Sequence, residues 1–250
     1  MLNDDWLRSL LPGRTIVHLE RPASTMIEAT GLAQRSAPHG TLVIADEQTA
    51  GQGRHGHSWH SEPGAGLYMS LVLRPMFPIE ATPALTIAIG LATRRAILET
   101  TGLACDLRWP NDLMYADRKL GGILVQMAPQ CAIAGIGVNT GHTRFPAALS
   151  ALATSLRQAT GGLVAREPLA AAVAMMVDDD CERIAAAGVA PVIEEFHVVS
   201  TWAIGKRVLV EQQGETVRGV TAGLDQHGFL RVQADDGHVT TIVAGGVRSA

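Results

Sequence analysis

Cysteine is scarce: three residues in 250, at Cys105, Cys131 and Cys181, odd in number and without close pairing. That excludes a disulfide framework and the paired spacing of a zinc–thiolate site, so a reduced, cytoplasmic protein is expected. No apolar run approaches the roughly eighteen residues of a membrane-spanning helix. Met1-Leu2-Asn3-Asp4-Asp5 is acidic where a secretory leader would be basic. A basic excess is missing too: the net charge of −4 argues against a general nucleic-acid binder and leaves DNA an improbable partner. Internal repeats and low-complexity tracts are absent. At this length the chain can bury a full core and carry a small additional module.

What is present is concentrated in a few places. Thr49-Ala50-Gly51-Gln52-Gly53-Arg54-His55-Gly56-His57-Ser58-Trp59 alternates glycine with cationic or cationisable side chains. Glycine lets main-chain N–H groups approach an anion, and a guanidinium adds a planar fork of donors for the same oxygens. The stretch fits neither a Walker loop, which ends in Gly-Lys-Ser/Thr, nor a Rossmann turn, which runs straight into a helix. Two further blocks follow, Arg108-Trp109-Pro110-Asn111-Asp112-Leu113 with Lys119-Leu120-Gly121-Gly122-Ile123-Leu124, and Gly135-Ile136-Gly137-Val138-Asn139.

Around these blocks the pattern is mixed α and β. Arg14–Leu19 suits a strand, and a helix is expected from Ser24-Thr25, with Thr25 and Glu28 at capping-box spacing and Pro38-His39-Gly40 closing it. Thr41–Ala45 and Leu67–Leu73 read as strands on either side of the glycine loop. Ala84–Glu99 is an amphipathic helix, with Arg94, Arg95 and Glu99 assigned to its wet face. Leu120–Met127 and Cys131–Val138 form neighbouring strands across Ala128-Pro129-Gln130. A helix opened by Pro168 runs to Ala187 and stops at Gly188. Its Asp178-Asp179-Asp180 points in three directions and is assigned to a solvated face rather than a metal cluster. From Ile204 the texture changes to short alternating strands separated by Gln213-Gly214, His227-Gly228 and Asp236-Gly237, the pattern of a small barrel. The domains expected are 1–203 and 204–250.

Taken in order and spacing, the three blocks resemble the biotin protein ligases, and the resemblance runs from near Thr15 to the C-terminus. It implies a mixed β-sheet flanked by helices, of the class II synthetase-like biotin/lipoate ligase fold, followed by an SH3-like β-barrel. It also implies an activity: ATP activates biotin as biotinyl-5′-AMP, which is passed to a lysine of a biotin carboxyl carrier domain of acetyl-CoA carboxylase or a related carboxylase. Mg²⁺ would arrive with ATP, held mostly by phosphate oxygens, with no protein cage. Relatives that repress transcription carry an N-terminal helix-turn-helix, and this chain begins where their catalytic domain does, so operator binding is not expected. A homodimer is possible. Two alternatives stay open: a lipoate or octanoate transferase of the same superfamily, and a catalytically silent biotin-binding protein.

Joining a carboxylate to the α-phosphate brings two anions together, so cations are the main catalytic requirement. The resemblance gives this role to Lys119 and Arg54. It places Ser24, Thr25, Met26, Gln48, Gly51, Gln52, Gly53 and Gly122 with them around biotin. Around the nucleotide it places Arg54, His57, Trp59, Asn111, Asp112 and Asn139, with Asp112 paired to Arg54. Capping would explain Ser24 or Thr25, turn formation Asn111 and Asp112, and wall or core packing Trp59 and Trp109.

The departures from the family pattern lie among the charges. Gln52 and His57 stand where many relatives have arginine, Arg108 replaces a lysine, and Gly245-Gly246-Val247 lacks the acidic residue usual before that valine. Losing two permanent cations weakens the electrostatic hold on an adenylate, and histidine restores part of it only in acid. Biotinyl-AMP is therefore expected to dissociate more slowly at pH 6 than at pH 8, with the difference abolished in His57→Ala. Release rates from rapid-filtration assays that are equal at the two pH values would contradict this.

Overall fold

The computed structural model describes residues 1–74, 82–212 and 214–250, so Gln213 of the expected Gln213–Gly214 turn lies outside the described residues. In chain order the elements are α1 (Asp4–Leu10), β1 (Ile16–Leu19), α2 (Thr25–Gln34), β2 (Thr41–Ala45), β3 (Gly66–Leu73), α3 (Thr82–Thr101), β4 (Asp106–Arg108), β5 (Asp112–Tyr115), β6 (Arg118–Ala128), β7 (Cys131–Asn139), α4 (Leu156–Thr160), α5 (Arg166–Ala187) and α6 (Ala190–Val199). Five strands follow: β8 (Ile204–Gln212), β9 (Glu215–Leu224), β10 (Leu230–Ala234), β11 (Val239–Ile242) and β12 (Gly246–Ser249).

The first seven strands make one mixed sheet in the order β1-β2-β3-β7-β6-β5-β4. β1 and β2 are parallel and every other neighbouring pair is antiparallel. β2 and β3 are buried along their whole length because both faces are covered. Alternate residues serve the two faces. Val43, Val72 and Ile133 meet Met26, Ala29 and Ala33 of α2, while Leu42, Ile44 and Leu71 join α3 and α5 in the larger core. That larger core continues into the second sheet, ordered β11-β10-β9-β8-β12, through Val208, Val210, Leu230 and Val232. Trp109 ties the sheets together, its buried indole N–H donating to Gly228 O at 2.9 Å. Among the described residues, no helix is long and apolar enough to cross a membrane.

Several local expectations are corrected. Ser24, not Thr25, is the N-cap of α2, accepting from Met26 N–H, and the helix ends at Gln34, four residues before Pro38-His39-Gly40, where Ser36 turns left-handed at φ 62°. Asp112 begins β5 instead of lying in a turn, because the strand pairs Asp112 with Arg108 on one side and Gly122 on the other. Glu99 is exposed, but Arg95 is not on a wet face: it bridges Asp180 at 2.6 Å and Glu195. Only Asp179 of the aspartate triplet is exposed. Asp180 is buried against Arg95, and Asp178 pairs with Arg14. These acids join α5 to α3 and to the strand-preceding segment at Arg14, so the triplet is a packing device.

The start of the chain is fixed by a buried charge. Asp46, at the end of β2, accepts from Leu2 N–H at 2.9 Å and from Arg166 at 2.8 Å, and lies 3.1 Å from His18 Nε2. Burial pushes this carboxyl up, but Arg166, the Leu2 N–H and His18 outweigh it and hold it below the usual carboxylate range. A depressed carboxyl contributes stability above its unfolded pKa and loses it as pH falls through the folded value. Asp46→Asn, which leaves Arg166 buried without its counter-charge, is expected to cost about 3 kcal/mol at pH 7. The difference from wild type in urea unfolding should shrink as pH drops below about 4.

Candidate active site

The site begins with a strip of sheet that lacks side chains. A Cβ on Gly135 would sit 2.6 Å from Met26 Sδ, and one on Gly137 would sit 2.7 Å from the Trp59 ring. A Cβ on Gly122 would lie 3.4 Å from the same indole and 3.2 Å from the Lys119 side chain. These glycines of β6 and β7 let Met26 and Trp59 lie directly on the sheet. Above them opens a cavity of about 770 Å³, within the range of small-molecule sites.

At one end the lining is neutral and hydrogen-bonded. Ser70 donates to Thr25 Oγ1 at 2.8 Å, Thr25 donates to Gln48 Oε1 through its hydroxyl at 3.2 Å and its N–H at 2.9 Å, and Gln48 Nε2 donates to Ser61 at 3.1 Å. Ser24 and Thr25 are buried, held there by the first turn of α2. The chain of hydroxyls and one amide can both donate and accept, as a ligand amide or ureide requires.

Over this end the glycine loop folds back as a narrow hairpin. Trp59 N–H donates to Gly51 O at 2.9 Å, Gln52 bridges Ser58, and Gly53 N–H donates to His57 O at 2.7 Å. His55 and Gly56, both left-handed at φ 56° and 77°, make the tip. Gly51 has no room for a Cβ, which would lie 2.8 Å from Trp59 O. The expectation that these glycines offer free N–H groups is corrected at Gly53, whose N–H is already bonded inside the hairpin.

The charged part lies at the junction of β5 and β6. Asp112 accepts from Lys119 Nζ at 2.5 Å and from Arg108 at 2.7 and 3.2 Å. Burial pushes its carboxyl up, yet Lys119 and Arg108 outweigh that and hold it below the usual carboxylate range. Lys119 also lies over the Trp59 ring, 5.6 Å from its centroid, a cation–π distance. Arg54 does not pair with Asp112 as expected. Its guanidinium donates to Asn111 Oδ1 at 3.1 Å and reaches Gly245 O at 3.5 Å. Burial pulls the Arg54 guanidinium pKa down, and the nearby Asp112 charge opposes this.

Ser24, Thr25, Met26, Gln48, Gln52, Gly53, Arg54, His57, Trp59, Asn111, Asp112, Lys119 and Gly122 all line this one cavity. Gly51 stands behind it, against Gln48 and Ser61. Asn139 is not among its walls. Buried at the end of β7, its amide donates to Thr154 O at 2.9 Å and anchors the segment that pairs with Lys119. Unforeseen from the sequence were Tyr68 and Met69 in the wall and the lip formed by Glu211 and Ala244–Arg248, while Arg108, noted only as standing in for a lysine, joins the wall. The absent acidic residue before Val247 drew notice to that segment, but no local pattern carries it across to Arg54.

Residues 19–139 match the biotin/lipoate A/B protein ligase family, and residues 203–247 match the biotin protein ligase C terminal domain. The bifunctional ligase/repressor BirA of Bacillus subtilis is 33% identical over 240 residues, covering 92% of this chain and 73% of its own length. A biotin–[acetyl-CoA-carboxylase] ligase of Mycobacterium tuberculosis is 30% identical over 212 residues, covering 83% of this chain and 77% of its own. A solved structure of the Aquifex aeolicus biotin protein ligase in complex with biotin and ATP shares the fold, with a TM-score of 0.84 at 24% identity over 94% of this chain and 99% of that one. The chain therefore belongs to the biotin/lipoate A/B protein ligase family, among the members that carry the biotin protein ligase C-terminal domain.

Proposed function

We propose that this chain is a biotin protein ligase, which activates biotin with ATP and transfers it to a lysine of a carboxylase's biotin carboxyl carrier domain. The observation that carries this reading is the division of one cavity into a neutral, hydrogen-bonding end at Thr25 and Gln48 and a cationic centre at Arg54, Arg108 and Lys119. A bicyclic ureide with a carboxylate tail needs both. Thr25 and Gln48 hold the ureido group by donating and accepting, and the apolar body lies along Met26 and Trp59. The carboxylate reaches Lys119 in place of, or beside, Asp112.

In the first step a carboxylate oxygen attacks the α-phosphorus and pyrophosphate leaves with the electron pair of the broken P–O bond. Lys119 and Arg54 offset the charge that accumulates between the two anions, and their positions, set by Asp112 and Asn111, need little reorganisation. In the second step the carrier's uncharged lysine amine attacks the anhydride carbonyl, AMP departs, and the amine loses its proton. The loop hairpin and the C-terminal lip shield the anhydride from water. Mg²⁺ accompanying ATP would be held mostly by phosphate oxygens, since among the described lining residues both carboxylates are ion-paired, Asp112 as above and Glu211 with Arg248. The three cysteines, buried and unbridged, suit the cytoplasm.

Exchange of labelled pyrophosphate into ATP tests the first step without the carrier. Exchange is expected with biotin and not with lipoate or octanoate, and Lys119→Met should lower it by about 100-fold or more, with unfolding monitored to confirm that the variant is folded. Biotin binding without exchange would return the choice to a silent binding protein, and lipoate-dependent exchange to the transferase.

A further inference from the structure

Beside the loop's outgoing arm, and outside the cavity wall, lies a second constellation that the proposed reaction does not use. His60, Glu62 and His142 each offer one ligand atom, and these atoms all lie within 4.8 Å of one another. His142 is 1% exposed, and neither of its ring nitrogens has a hydrogen-bond partner, although the Ala65 backbone lies close by. His60 Nε2 is likewise buried and unpartnered. Buried polar atoms in folded proteins are nearly always satisfied, so one imidazole nitrogen from His60 and one from His142, drawn together beside the Glu62 carboxylate, call for a shared partner. That partner has to accept lone pairs from two imidazoles and a carboxylate, which is the behaviour of a divalent cation of the zinc class.

The frame around the three side chains is firm. Ala65 O accepts from Thr140 N–H at 3.1 Å and Gly141 N–H at 2.7 Å, so the segments bearing Glu62 and His142 are joined by backbone bonds. Ser155 holds His142 O at 2.6 Å, and Tyr68 holds Glu62 O at 3.0 Å. Phe145 stacks on the His142 ring, with centroids 4.8 Å apart. Tetrahedral zinc needs ligand atoms roughly 3.3 Å apart. Half-buried His60 and exposed Glu62, in the arm that ends at Pro63-Gly64, supply the small inward movement.

We infer that His60, Glu62 and His142 bind a zinc-class divalent cation, with one coordination position left to solvent. The ion would pin the residue next to Trp59 to the segment after β7, tying the glycine loop's outgoing arm to the sheet.

The test uses the full chain, stripped with chelator and titrated with zinc chloride against a chromophoric chelator, without biotin or ATP. Its outcome is therefore independent of the proposed ligase activity. One zinc per chain is expected, weakened about 100-fold or more in His60→Gln and in His142→Asn. His39→Gln, which alters the histidine beside Asp178, should bind like wild type. His60 is only half-buried, so His60→Gln should match the metal-free melting temperature of wild type and lose only the rise that zinc produces. No stoichiometric zinc in the wild type, or equal binding in wild type and both site variants, overturns the inference.

Discussion

A bare strip on β6 and β7 is the constraint on which the rest of the site depends. Gly137 admits the Trp59 ring, the ring supports Lys119, Lys119 is held by Asp112, and Asp112 by Arg108. Arg108 in turn lies over Trp202, just before the second sheet, 5.4 Å from the ring centroid. Each link is weak alone. A surface-type ion pair or a cation–π contact contributes on the order of 1 kcal/mol or less. Half-buried in series against the sheet, they position one another, and the position originates in the absence of a Cβ.

The C-terminal sheet is part of the same arrangement and not an appendage. Trp109 inserts its indole toward Gly228, and Arg54 reaches Gly245 across the cavity mouth. Gly245 approaches Glu211 so closely that a Cβ would lie 2.4 Å from its carbonyl oxygen, at a φ of 143° that side-chain-bearing residues avoid. The lip is thus held by the close approach of Gly245 to β8 and by its contact with Arg54.

Residues whose partners are near in sequence were legible. The strands at Thr41 and Cys131, the helix stop at Gly188 and the turn at Pro129-Gln130 are written in local pattern, and the Gly/Arg loop, Trp-Pro-Asn-Asp and Lys-Leu-Gly-Gly blocks marked most of the cavity wall. What failed depended on distant partners. Arg95 and the aspartate triplet look solvated until residues 85 and 100 positions away fold against Arg95. Asp112 was assigned to Arg54, yet strand pairing delivers it to Lys119 and Arg108 first. The lip at 244–248 follows from where the second sheet docks, which no short window of sequence contains.

The glycine loop gives the sharpest revision, because its alternation suggests a nest of main-chain donors. Here one of those donors is turned inward, Gly53 bonding His57 O, while His57 N–H bonds Arg54 O and Trp59 N–H bonds Gly51 O to close the hairpin. The glycines also serve the tightness of the hairpin and the approach of Trp59, and side chains carry the full charges that meet an incoming anion. Arg54, Arg108 and Lys119 face the single carboxylate of Asp112, while Glu211 and Arg248 cancel one another. Three cations against one carboxylate leave a positive surplus in a space that partly excludes water, where it attracts an anion far more strongly than in bulk solvent. Asp112 keeps that surplus from dispersing the cations while the cavity is empty. A carboxylate and a phosphate arriving together complete the neutralisation that Asp112 begins, which is why Gln52 and His57 can replace permanent charges on the loop without leaving the centre uncharged.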